Sequence, residues 1–123
     1  MKIDKKKVLG ELQREISLRK SLYPKWIANG KMNQENARKQ LLLMQSAHEF
    51  VKRGALLPGT DKNSICDEIK RELSMRESVY PRWITRGTLN AHRAALYMKR
   101  LEAAIILLKD DRIEPAGDQQ TLF

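Results

Sequence analysis

The sequence predicts an all-α protein: two tandem antiparallel helical hairpins, with four long helices and short bend helices forming one bundle, followed by a flexible C-terminal tail. Three observations carry this prediction. First, residues 11–50 align without a gap on residues 68–107. Arg14, Glu15, Arg19, Tyr23, Pro24, Trp26, Ile27, Gly30, Asn33 and Ala37 recur as Arg71, Glu72, Arg76, Tyr80, Pro81, Trp83, Ile84, Gly87, Asn90 and Ala94. A duplication of this kind marks a chain assembled from repeated supersecondary units. Second, apolar residues recur at helical spacing in both copies. Third, proline, glycine and asparagine punctuate both copies at equivalent places.

The elements follow in order. Leu9, Leu12, Ile16 and Tyr23 give the first helix one apolar stripe, and Ile65, Ile69, Leu73 and Tyr80 do the same for the third. Glu15–Arg19 and Glu72–Arg76 are four apart, in the favourable order for a pair on one helix face. Pro24 and Pro81 lack an amide donor, and their rings crowd the preceding turn, which predicts a break or sharp kink at each Tyr-Pro. A short turn of helix carrying Trp26 or Trp83 then closes at Gly30 or Gly87, which tolerate the left-handed conformation of a helix C′ position.

Asn33 and Asn90 suit the N-caps of the second and fourth helices. The second helix presents Ala37, Leu41, Met44, His48 and Val51, widened by Leu42, Leu43, Ala47 and Phe50. The fourth presents Ala94, Met98, Leu101, Ile105 and Leu108, widened by Ala95, Ala104 and Ile106. Faces this wide contact two neighbours, which implies a core shared between the copies. The chain divides into hairpin 1–53, a linker 54–63 containing Pro58 and Gly59, hairpin 64–109 with Ser64 as a cap, and tail 110–123.

Composition narrows the function. Lys and Arg total 24 against 15 Asp and Glu, a net charge of +9, so acidic partners are favoured and DNA is a candidate. Lys5, Lys6 and Lys7 form a mobile N-terminal cluster with Lys2, while Lys25, Lys31, Arg82 and Arg86 flank the two bends. Apart from Lys2, these seven are the candidate nucleic-acid contacts, weighed against an ordinary solvated face. One cysteine, Cys66, rules out an internal disulfide and fits a reducing compartment. There is no signal-peptide pattern and no apolar run of membrane-spanning length, so the expected location is the cytoplasm, without membrane contact.

Catalysis finds little support. His48 and His92 share no metal-ligand spacing with Cys66, and neither a phosphate loop nor a nucleophile motif occurs. A non-enzymatic protein without metal or cofactor is expected. The repeated signature Tyr23, Pro24, Trp26, Gly30 and Tyr80, Pro81, Trp83, Gly87 has two readings. Its aromatic residues either stack on bases or plug the bend, and recurrence in both copies favours the plug. Arg19 or Arg76 over a tryptophan face would add cation–π attraction.

After Lys109 the sequence turns acidic, with Asp110, Asp111, Glu114 and Asp118 around Pro115 and Gly117, and it finishes Gln119-Gln120-Thr121-Leu122-Phe123. Two large apolar residues on a tether read as a ligand for a pocket elsewhere. The pentapeptide resembles the motif by which bacterial replication and repair proteins dock on the DNA polymerase III sliding clamp. Gln119, Leu122 and Phe123 match its best-defined positions, whereas Gln120 and Thr121 depart from the usual Leu and Ser or Asp. The resemblance implies that Leu122 and Phe123 enter an apolar clamp pocket and Gln119 a polar subsite. An unstructured end, a tail folded back on the bundle and a protease tag are the alternatives. The Tyr-Pro-x-Trp hairpin is itself similar to short phage and prophage proteins.

The leading expectation is thus a replication accessory or modulator protein that binds the sliding clamp. The alternatives are a basic DNA- or RNA-binding protein, or an adaptor that dimerises through the broad faces of its second and fourth helices.

Overall fold

The computed structural model describes residues 2–110; Gln119, Leu122 and Phe123 lie outside the described residues. Four helices form the body: α1 (Lys5–Ala28), α2 (Gln34–Arg53), α3 (Lys62–Thr85) and α4 (Ala91–Lys109). Among the described residues no helix is long and apolar enough to cross a membrane.

Local chemistry sets the boundaries. Asp4 caps α1 by accepting from the Lys6 and Lys7 amides at 3.1 and 3.3 Å, so Lys5, Lys6 and Lys7 form an ordered first turn rather than a mobile cluster. Asn33 and Asn90 cap α2 and α4 as the sequence predicts, accepting from Asn36 at 2.7 Å and from His92 at 2.8 Å. The cap of α3 is Asp61 and not Ser64. The Asp61 carboxylate takes the Ser64 amide at 2.8 Å and the Ser64 hydroxyl at 2.9 Å, which pulls Lys62 and Asn63 out of the expected linker and into the helix.

Pro24 and Pro81 do not break their helices. Each sits inside a continuous 24-residue helix, and the expected short bend helices are the last turns of α1 and α3. One missing amide forfeits one ladder bond, and two local features offset it. The tyrosine before each proline is buried, and each helix is closed tightly beyond it. The Gly30 amide donates to Ile27 O at 3.2 Å and the Lys31 amide to Trp26 O at 2.9 Å; Gly87 and Thr88 repeat this on Ile84 and Trp83 at 3.0 and 2.9 Å. These paired bonds are the Schellman closure, and Gly30 (φ 80°) and Gly87 (φ 77°) take its left-handed position.

The core is continuous across both copies. Leu12 and Ile16 of α1, Met44 and Phe50 of α2, Ile65 and Ile69 of α3, and Leu101 and Leu108 of α4 belong to one buried cluster. Helices α2 and α4 pack on each other as well as on α1 and α3, which is what their wide apolar faces require. Ala95 and Ile106, predicted to widen the apolar face of α4, are exposed instead. The linker is pinned from inside. The buried Ser46 hydroxyl accepts from the Leu57 amide at 2.9 Å and lies 2.7 Å from the Thr60 hydroxyl.

The glycines provide a test. At Gly30 and Gly87 a Cβ would meet no atom, but the positive φ strains any L side chain, so alanine at either position is expected to cost about 1 kcal/mol. Gly10, helical and equally open, is expected to gain up to about 1 kcal/mol as alanine. Urea denaturation of the three variants measures both signs.

Candidate binding groove and the charge network beneath it

Duplication places four equivalent pairs of charged residues on α1 and α3: Glu11/Glu68, Arg14/Arg71, Glu15/Glu72 and Arg19/Arg76. The predicted pairs within each helix form, Arg19 Nε to Glu15 at 2.8 Å and Arg76 Nε to Glu72 at 3.0 Å. They are not surface pairs. Arg19 and Arg76 are 2% and 1% exposed, and each guanidinium reaches across to the other repeat. Arg19 binds Glu68 at 2.7 Å and Glu72 at 3.1 Å, while Arg76 binds Glu11 and Glu15, each at 2.8 Å.

The remaining donors are used as well. Arg19 Nη1 donates to Gln40 O at 2.8 Å, and Arg76 Nη1 to Tyr97 O at 3.1 Å, which ties the network to α2 and α4. Arg14 and Arg71 fork onto Glu11 and Glu68, with closest contacts of 2.7 and 2.6 Å. Four carboxylates and four guanidiniums thus balance, and no buried side-chain nitrogen or oxygen among the described residues lacks a hydrogen-bond partner. Such closure is what makes buried charge tolerable.

Titration reflects the arrangement. Burial works against the charged forms of Arg19 and Arg76, but Glu15 beside the first and Glu11 beside the second outweigh it and hold both above the ordinary arginine range. Glu15 and Glu72 share the two arginines and titrate as a unit. Burial opposes ionisation of Glu15, yet Arg19 and Arg76 hold it low; burial and the charge on Glu15 push Glu72 up. Burial also raises the hydroxyls of Tyr23 and Tyr80.

Above this floor lies a groove of about 790 Å³ between the C-terminal halves of α1 and α3. Its walls are Leu18, Leu22 and Trp26 on one side and Met75, Val79 and Trp83 on the other, each an equivalent of its opposite number. Leu18, Met75 and Trp83 are 41%, 40% and 38% exposed, which is high for side chains of this kind. The start of α2 contributes Met32, Asn33, Asn36 and Gln40 to the lining.

The repeated aromatic signature therefore splits. Tyr23 and Tyr80 are buried and act as the expected plugs, and the Tyr23 hydroxyl bonds Gln40 at 3.2 Å. Trp26 and Trp83 are not plugs. They lean on the tyrosines at ring separations of 5.7 and 5.6 Å and face the groove. The guanidiniums of Arg19 and Arg76 likewise approach Tyr23 and Tyr80, each at 5.7 Å, and not the tryptophans.

The basic candidates do not form one patch. Lys25 and Lys31 stand at the first bend and Arg82 and Arg86 at the second, all exposed, while Lys5, Lys6 and Lys7 lie at the opposite end of α1, about 30 Å along the helix from Lys25. Lys31 alone of the seven lines the groove. Cys66 is buried, with its thiol pushed up by that burial, and His48 is pulled down by burial and by Lys52. No group of three or more potential metal ligands comes together among the described residues. Leu18, Leu22, Met75, Val79 and the Glu11/Glu68 pair are the site residues that sequence reasoning missed. Their signal was recurrence: each position keeps its chemical character in both copies while lying outside the apolar stripe.

No protein-family model, curated protein or solved structure matches the chain.

Removing one arginine strands buried carboxylates, so Arg19→Met is expected to cost about 3–5 kcal/mol in equilibrium denaturation. Arg38→Met breaks only the fully exposed pair with Glu35, and no measurable loss is expected. Equal stability of the two variants would show that the buried network contributes nothing to the fold.

Proposed function

We propose that this protein is a non-enzymatic accessory or modulator of DNA replication that docks on the bacterial sliding clamp through Gln119, Leu122 and Phe123. The pentapeptide Gln119–Phe123 carries the reading. Leu122 and Phe123 form an adjacent apolar pair, each side chain worth about 1.5–3 kcal/mol if fully buried in a pocket, and Gln119 supplies an amide at fixed spacing for orientation. A contact this short binds modestly, which suits competition with other clamp clients or recruitment to a moving assembly. The helical body then serves as a second binding surface.

The excess of basic residues supports a second reading, a nucleic-acid-binding body. Lys25, Lys31, Arg82 and Arg86 are exposed at the two bends, where phosphates can reach them. This reading and the first are compatible, because a clamp-bound protein is held beside DNA.

Binding of the full chain and of a Leu122→Ala/Phe123→Ala variant to purified bacterial sliding clamp tests the first reading. Saturable binding that the double variant loses at least tenfold is expected; equal binding by both, or by neither, would refute it. The second reading predicts an affinity for DNA that falls steeply from 50 to 200 mM salt and weakens further in a Lys25→Ala/Arg82→Ala variant.

A further inference from the structure

We propose that the groove between α1 and α3 is a docking site for a short acidic segment bearing bulky apolar side chains, and that its occupant is residues 111–123 of the same chain. Three features of the groove define the ligand chemistry. Its walls are aliphatic and aromatic, with Leu18 and Met75 facing one another in exposed positions above the charged floor. Its acids, Glu15 and Glu72, are buried and held by Arg19 and Arg76. Its accessible charges, on Arg14, Lys31 and Arg71, are all positive. An occupant must therefore bring apolar anchors together with negative charge.

Residues 111–123 bring both. They carry Asp111, Glu114 and Asp118 against the single Arg112, in a chain whose other residues are strongly basic, and they supply Ile113, Leu122 and Phe123 as anchors. A nucleic-acid backbone would leave the aliphatic walls, Leu18, Leu22, Met75 and Val79, uncovered.

Reach is sufficient. Lys109, the last residue of α4, lies near enough to Cys66 in the first turns of α3 to act on its thiol, and residues 111–123 follow from there in sequence. From Cys66 to Trp83 along α3 is about 26 Å, whereas thirteen extended residues span about 43 Å. Tethering also presents the segment at an effective concentration on the order of millimolar, so a weak contact is occupied. The same Leu122 and Phe123 that the clamp reading uses are covered while the groove holds them, and an external pocket must compete for them. The groove contact does not itself depend on the clamp.

Trp26 and Trp83 are the two tryptophans of the chain and both line the groove, so intrinsic fluorescence reports its occupancy. Acrylamide quenching of the full chain is compared with that of a full-length Leu122→Asp/Phe123→Asp variant. The variant is expected to quench more strongly and to emit further to the red. A synthetic peptide of residues 111–123 added to it restores the shielding, whereas the same peptide bearing Leu122→Asp and Phe123→Asp does not. Adding Met75→Asp to the variant abolishes the restoration, with circular dichroism verifying unchanged helix content. Identical quenching of wild type and variant would overturn the proposal. So would a difference that grows with protein concentration, which would put the segment of a second copy on the groove. The readout uses no clamp, so its failure is separate from failure of clamp binding.

Discussion

Two buried arginines tie the two repeats of this protein into one alignment. Arg19 and Arg76 each bind carboxylates of both repeats and a backbone carbonyl of the following helix, so each touches three helices at once. The surrounding core is apolar and its attraction is non-directional, so a shift of α1 by one helical turn, which keeps its apolar stripe inward, is opposed there by packing alone. A forked guanidinium does not tolerate such a shift. Moving α1 by one turn would take one of Glu11 and Glu15 out of reach of Arg76 and leave charge buried without a partner. Replacing the network with matched apolar residues could give an equally stable bundle. What the network contributes is the choice of one alignment among several.

The groove follows from that choice. Helices α1 and α3 are the pair whose backbones approach least, because long arginine and glutamate side chains span the space between them. Residues on the outer flank of the network cannot then bury themselves against the opposite helix. Leu18 and Met75 stand partly in solvent for this reason, and Trp26 and Trp83 line an opening instead of a core. The apolar surface available for binding is thus a by-product of a polar solution to register.

The helices, their order and the shared core were legible in the sequence because each rests on a local rule: apolar spacing, an asparagine before a helix, a glycine after one. The prolines mislead because only part of what offsets their cost is local: the closing turn at Gly30 is, but the burial of the tyrosine is not. Nothing within Tyr23-Pro24 says that Tyr23 will be buried against Gln40 of another helix. Ser64 misled for a different reason, since Asp61 three residues earlier is the stronger acceptor and leaves Ser64 as its donor. The spacing of Glu15–Arg19 predicts the pair that forms within α1, but spacing within one helix is silent about what lies across from it. Only recurrence could have told more. A solvated ion pair has little reason to be kept in both halves of a duplicated chain, whereas a pair that must meet its own counterpart has every reason.

That reciprocity is the pattern of an isologous interface. Arg19 reaches Glu68 and Glu72 as Arg76 reaches Glu11 and Glu15, so residue i meets j and the equivalent of i meets the equivalent of j. Two copies of one hairpin related by a two-fold axis would make the same contacts, and the chain has that arrangement with its halves joined by residues 54–61. Joining the halves frees them to differ, and they differ beside the groove. Where α2 has Gln40, accepting from Arg71 at 3.0 Å, α4 has Tyr97, with the Arg14 guanidinium 3.7 Å over its ring. Asn36 lines the groove, whereas its equivalent Arg93 does not. The floor is symmetric because each repeat supplies the counter-charges of the other. The lining does not share that symmetry: Met32, Asn36 and Gln40 of the first repeat belong to it, whereas Leu89, Arg93 and Tyr97 of the second do not.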